Sequence, residues 1–152
     1  MTAPVFVDTN VLVYAIDLAA GDRHIAARRW MEALWPRQAG RVSVQVLQEF
    51  YVTVTRKLRP GLSASEAQRE VRALLPWSPI EISPTILERA WFVESHYQLS
   101  WWDALIVASA QTLGCRTLLT EDLQHGQDFD GLVVVSPFRV TPSQLFDRSS
   151  AP

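Results

Sequence analysis

Short β-branched runs alternate with helix-length segments along almost the whole chain, and this alternation constrains the fold more than any other feature. Val5-Phe6-Val7, Val42-Ser43-Val44, Ile80-Glu81-Ile82, Thr117-Leu118-Leu119-Thr120 and Leu132 to Val135 are each of strand length. Nearly continuous apolar runs of this kind suit a sheet buried on both faces. The segments between them carry helix ends. Asp22 is placed to cap Arg23 to Leu34 with Pro36 as the stop, and Gln45 to Leu58 has helical period and ends before Pro60-Gly61. Ser63-Ala64-Ser65-Glu66 has the spacing of a capping box, and Ser83-Pro84 offers a cap followed by proline at the first helical position. Ser100 opens a further helix that Gly114 closes. Strands joined by helices need crossover connections. The expected fold class is therefore α/β, with a mostly parallel central sheet flanked by helices.

At 152 residues the chain fits one domain, expected over residues 1–140, followed by a C-terminal tail over 141–152 whose last residues, Ser149-Ser150-Ala151-Pro152, carry no structural pattern. The single cysteine, Cys115, excludes a disulfide framework and a cysteine-based zinc site, so a reducing compartment is the expected setting. Asp8, Asn10 and Asp17 interrupt an N-terminus that has no basic leader, which argues against a signal peptide. The apolar stretch Ala104 to Ala110 is too short to span a bilayer. A soluble cytoplasmic protein with no membrane partner is expected. Net charge is −2, but residues 1–76 hold ten basic and seven acidic side chains against four and nine in residues 77–152. That asymmetry permits a phosphate-binding face without establishing one.

In an open parallel sheet, ligands bind beyond the carboxyl ends of the strands. Asp8-Thr9-Asn10 follows the first strand and Glu121-Asp122 follows the Thr117–Thr120 strand, so both bring a carboxylate to that edge. Taken singly, Asp8 reads as a helix N-cap and Asp122 as a turn residue. Glu49, beside the apolar face of its helix, reads alone as a side chain reaching for solvent. Asp103 lies in Trp101-Trp102-Asp103-Ala104-Leu105-Ile106, a helix start so apolar that an unpaired carboxylate there is costly. Its local pattern leaves capping with Ser100 and metal binding equally open. Together the four make a different case. Clustered carboxylates raise one another's pKa unless a cation neutralises them, and hard oxygen donors with no thiolate select Mg²⁺ or Mn²⁺. Such a site suits phosphodiester hydrolysis.

Val5-Phe6-Val7-Asp8-Thr9-Asn10-Val11-Leu12-Val13-Tyr14-Ala15 resembles the opening of PIN domains. Gln48-Glu49-Phe50-Tyr51, Trp102-Asp103-Ala104-Leu105-Ile106 and Leu119-Thr120-Glu121-Asp122-Leu123 match the later motifs in order, and the run from Glu121 to Gln127 is similar to bacterial VapC-type toxins. The resemblance covers Val5 to Phe138. It implies a PIN-like fold and a metal-dependent endoribonuclease, the toxin of a type II toxin–antitoxin pair. By the same match Asp8, Glu49, Asp103 and Asp122 form the catalytic acidic quartet. Asp8, Asp103 and Asp122 would bind Mg²⁺ or Mn²⁺, while Glu49 would orient the attacking water or a second ion. Asn10 and Thr120 would hold the carboxylates in place, and Glu121 would be peripheral. The resemblance also implies RNA as substrate, a cognate VapB-like antitoxin and a homodimer. Hydrolysis by an activated water would leave a 5′-phosphate and a 3′-hydroxyl.

Arg23, Arg28, Arg56 and Lys57 are candidates for contacting RNA, though any one of them alone reads as part of a solvated helix face. A phosphoacceptor receiver domain is disfavoured because the only lysine, Lys57, lies in a helix. A phosphatase with an aspartyl nucleophile is disfavoured because position 10 is Asn. His24, His96 and His125 are too scattered for a metal-free ribonuclease. The alternative of another class is a catalytically inactive PIN-like module that binds RNA or protein.

Overall fold

A computed structural model describes residues 2–149. Five strands form one sheet: β1 (Val5–Val7), β2 (Gly40–Arg41), β3 (Thr117–Leu119), β4 (Asp128–Phe129) and β5 (Leu132–Val135), in the order β2-β1-β3-β5-β4. All neighbours are parallel except β4 with β5. Seven α-helices complete the described chain: α1 (Thr9–Ile16), α2 (Asp22–Arg37), α3 (Val44–Val52), α4 (Ala64–Leu74), α5 (Pro84–Tyr97), α6 (Trp101–Thr112) and α7 (Pro142–Ser149). The expected α/β architecture with a mostly parallel sheet is what the chain adopts. No helix of the described residues is long and apolar enough to cross a membrane.

The sheet runs deeper into the core than its short strands suggest. Val5, Phe6, Val7, Leu118 and Leu119 are buried, and so is every residue of α6 from Ala104 to Ala110. Trp30 of α2 is the largest fully buried side chain. Its indole N–H donates to the carbonyls of Pro137 and Val140, at 3.2 and 3.1 Å, and its ring meets Phe146 edge-on. Residues 142–149 of the expected tail thus form α7, packed on α2 through this contact, while Ser150, Ala151 and Pro152 lie outside the described residues.

Where the elements differ from the sequence expectation, a local cap or a distant contact decides the outcome. Val42-Ser43-Val44 and Ile80-Glu81-Ile82 do not extend the sheet as strands. They meet at a single parallel bridge, Ser43 to Ile80, because Ser43 instead caps α3 by accepting from the Val46 amide at 3.2 Å. The second strand sits upstream at Gly40, where a Cβ would come within 2.3 Å of the buried Trp77 ring. Only glycine lets the strand pass there. Asp22 is the first residue of α2 rather than its cap, which is Gly21. The helix runs through Pro36 to Arg37, because Pro36 falls in a last turn that Gln38 closes in the left-handed conformation. The helix expected over Gln45 to Leu58 stops at Val52 and loosens into a π turn over Thr53–Lys57. The capping box at Ser63 and Glu66 forms with both bonds present, and the caps at Ser83 and Ser100 form as expected.

Candidate active site

Asp8 follows directly from β1 and caps α1, its Oδ1 accepting from the Thr9 amide at 2.7 Å. Its structural role is therefore the one read from its position alone. Its surroundings go further. Thr120, at the end of β3, donates its hydroxyl to Asp8 Oδ2 at 2.8 Å and accepts from Asn10 Nδ2 at 3.0 Å and from the Asp122 amide at 3.1 Å. That is the full complement of a hydroxyl group, one donation and two acceptances. Asn10 Nδ2 also donates to Asp122 Oδ2 at 3.1 Å, and its Oδ1 accepts from the Glu121 amide at 3.3 Å. Parallel pairing of β1 with β3 makes this junction possible, because it brings both carboxyl ends to one edge of the sheet.

Glu49 joins from α3. Its Oε2 accepts from the Thr9 hydroxyl and its Oε1 from Gln45 Nε2, each at 3.0 Å. Gln45 also donates to the backbone carbonyl of Trp102 at 3.3 Å, which ties the start of α6 to α3. Asp103 stands in that first turn. Its amide is capped by Ser100, but its carboxylate accepts no hydrogen bond from the described residues, so the reciprocal cap does not form. The Asp8–Thr120–Asn10–Asp122 junction and the Thr9–Glu49–Gln45 chain open on a cleft of about 850 Å³, also lined by Tyr14, Lys57 and Trp102.

Electrostatics set Asp8 and Asp122 apart from surface acids. Burial pushes the Asp8 carboxyl up to about 7, against the hydrogen bonds from Thr120 and Thr9, and repulsion from Asp122 and Glu49 adds to the rise. Asp122, though partly exposed, is also raised, first by desolvation and then by Glu121, Asp103 and Glu49, against the bond from Asn10. The acidic side chains thus feel one another across the cleft. No three of them converge tightly enough among the described residues to form a closed cage for one ion. The donor set nevertheless fits a hard divalent cation. It is all oxygen, the Asp103 carboxylate is unpartnered, and Gln45 Oε1 is buried without a partner.

The unfolded chain ionises Asp8 near 3.8, whereas the folded chain holds the proton to about 7. Between these values the folded state binds more protons, so stability present below the lower value is lost as pH rises through the upper one. In chelator, the unfolding free energy should fall by a few kcal/mol between about pH 5 and pH 8. Mg²⁺ or Mn²⁺ should restore it at pH 8 and have little effect at pH 5, because cation and proton compete for the same oxygens. Urea titrations across this range check both statements, and a flat profile in chelator would contradict the first.

Several residues around the cleft escape a reading of the sequence. Glu121 does not line the cleft: it accepts from Tyr14 OH at 2.6 Å and pairs with Arg23, whose guanidinium lies 4.8 Å from the Phe138 ring centre. This clamp ties the loop carrying Asp122 to α1 and α2. Arg23 is thereby occupied, as is Arg28 by Glu32, and only Lys57 of the four basic candidates lines the cleft. His24 bonds the Tyr14 carbonyl and His125 accepts from the Ser136 amide, so neither faces the carboxylates. Burial pushes the Cys115 thiol up to about 12, which leaves it no role as a nucleophile.

Comparison with known proteins adds to this geometry. A family model described as PIN domain matches residues 5–127. None of the curated proteins compared matches the chain. Among solved structures, a toxin–antitoxin complex from Klebsiella pneumoniae is 30% identical, covers 90% of this chain and 99% of its own, and superposes with a TM-score of 0.60. VapBC2 from Rickettsia felis, bound to a DNA fragment from its promoter, is similar in fold at 19% identity over 86% of this chain and 96% of its own, with a TM-score of 0.62. Mycobacterium tuberculosis VapC20, a toxin that cleaves the sarcin–ricin loop, is similar in fold at 21% identity over 75% of this chain and 86% of its own, with a TM-score of 0.56.

Proposed function

The chain belongs to the PIN domain family, and from that premise we propose that it is a metal-dependent endoribonuclease, the VapC-type toxin of a type II toxin–antitoxin pair. The observation that carries the reading is the Thr120 hydroxyl, which joins Asp8, Asn10 and the backbone of Asp122 beside a cleft lined by Asn10, Glu49 and Asp122, with the Asp103 charge acting on Asp122. Asp8, Asp103 and Asp122 would hold Mg²⁺ or Mn²⁺. A divalent ion bound there lowers the pKa of water and stabilises the leaving oxygen of a phosphodiester.

The chain's own residues divide the remaining work. Thr120 and Asn10 fix the directions of the Asp8 and Asp122 carboxylates, so that little reorganisation is left to the moment of reaction. Thr9 and Gln45 each hold one oxygen of Glu49, and the lone pairs left over are free to orient a water and take its proton. The tie from Gln45 to the Trp102 carbonyl sets the distance between Glu49 and Asp103.

An antitoxin and a second toxin copy are the expected protein partners. The exposed Trp35, Leu75, Trp91 and Phe92 give them apolar surface to cover. The cytoplasm is the compartment proposed. Incubating the purified, antitoxin-free chain with total cellular RNA tests the activity. Cuts that require Mg²⁺ or Mn²⁺ and leave 5′-phosphate and 3′-hydroxyl ends are expected. Cleavage that survives chelator, or 2′,3′-cyclic phosphate ends, would sink the mechanism. A folded chain that binds RNA without cutting it would favour the inactive binding module.

A further inference from the structure

Trp102 is 63% exposed, in the first turn of a helix whose next seven residues after Asp103 are buried. An indole left in water forfeits the burial free energy that the neighbouring Trp101 gains by stacking on Trp91. Trp102 makes no ring contact among the described residues, and its backbone carbonyl accepts from Gln45, which anchors the main chain from which the ring projects. It lines the same cleft as Asn10, Glu49 and Asp122, and it precedes Asp103 directly in sequence. Lys57, the only lysine, lines that cleft too and has no ion pair among the described residues.

An exposed aromatic beside carboxylates, with an unpaired cation in the same wall, has the parts of a single-strand nucleic-acid platform: a face for a base and a charge for the backbone. We propose that Trp102 stacks on an unpaired base of the RNA adjoining the bond to be cut, with Lys57 on a neighbouring phosphate, so that the cleft selects unpaired RNA and rejects duplex. This rests on the nuclease reading for its substrate but not for its test. A base held within a helix cannot offer its face to Trp102, so pairing of the target strand costs it the contact.

Binding is measured in the full-length Asp8→Asn chain, in Mg²⁺, with a short fluorescein-labelled unpaired RNA and with the same strand annealed to its complement. The unpaired strand should bind more tightly than the duplex. Trp102→Ala should weaken its binding by about 10-fold or more, and Trp102→Phe should recover most of that loss. Lys57→Gln should lower the slope of log affinity against log salt by about 0.7, the share of one single-strand phosphate. The ring is exposed, so Trp102→Ala should leave the urea midpoint unchanged. Unaltered affinity in Trp102→Ala, or duplex binding as tight as single-strand binding, would overturn the proposal. So would a Trp102→Ala chain that binds RNA normally but passes from dimer to monomer, which would assign the ring to an interface between copies. A wild-type chain that never cuts RNA would remove the nuclease reading, and the binding comparison would still decide the role of Trp102.

Discussion

Asp103→Asn is expected to lower RNA cleavage by on the order of 10²–10³-fold, at saturating Mg²⁺, with the fold intact. The variant is informative because of what Asp103 does not do. Its amide is capped by Ser100 whatever the side chain, and its carboxylate accepts nothing from the described residues. Asparagine has the same shape, so no structural bond is lost with the charge. Asp8→Asn should reduce cleavage as severely, but its interpretation needs the parallel unfolding curve. Asp8 caps α1 and takes the Thr120 hydroxyl, and relieving its buried charge should make that variant more stable than the wild type at pH 8 in chelator. Initial rates on one defined RNA, read beside urea midpoints, check both. An Asp103→Asn chain that cuts at the wild-type rate would remove Asp103 from the catalytic group.

Trp30→Ala should cost about 3–5 kcal/mol of stability. Truncation removes the largest fully buried side chain and leaves the carbonyls of Pro137 and Val140 without the donor they share. It also removes the ring against which Phe146 packs edge-on. A domain of this size is typically stable by only about 5–15 kcal/mol, so the variant should unfold at far lower urea than the wild type. Trp30→Phe keeps most of the packing and loses only the indole donor, so its midpoint should fall between the two. A Trp30→Ala midpoint equal to that of the wild type would mean that the segment from Pro137 to α7 is held by other contacts.

What the sequence made legible was local, and what it hid depended on residues far apart. The Ser63–Glu66 capping box could be read from four adjacent residues because both of its bonds close within them. The position of β2 could not, because it depends on Trp77, distant in sequence, passing over Gly40. The two-residue β4 was missed although its turn was written in Asp130-Gly131, both at positive φ. At the cleft, the rule that ligands lie beyond the carboxyl ends of parallel strands points to Asp8 and Asp122, and the apolar start of its helix singles out Asp103, whereas Glu49 taken alone reads as a side chain reaching for solvent. Gln45 left one trace, its spacing of four from Glu49, which puts both on one helix face. The motif aligns on Asp122 rather than Glu121, and the partners of Glu121, Tyr14 and Arg23, lie about a hundred positions upstream, where no local pattern reveals them.

The sheet order places β3, made late in the chain, between β1 and β5, and the junction at the cleft is built from residues 8, 10, 120 and 122. A ribosome releases these from the amino end. Asp8 and Asn10 therefore emerge early and wait through more than a hundred further residues for their partners. Until Thr120 and Asp122 are made, the growing polypeptide carries only part of the arrangement assigned to cleavage, and a product terminated anywhere before Thr120 never acquires it. Premature stops and frameshifts upstream of that codon should therefore yield fragments that lack the junction altogether.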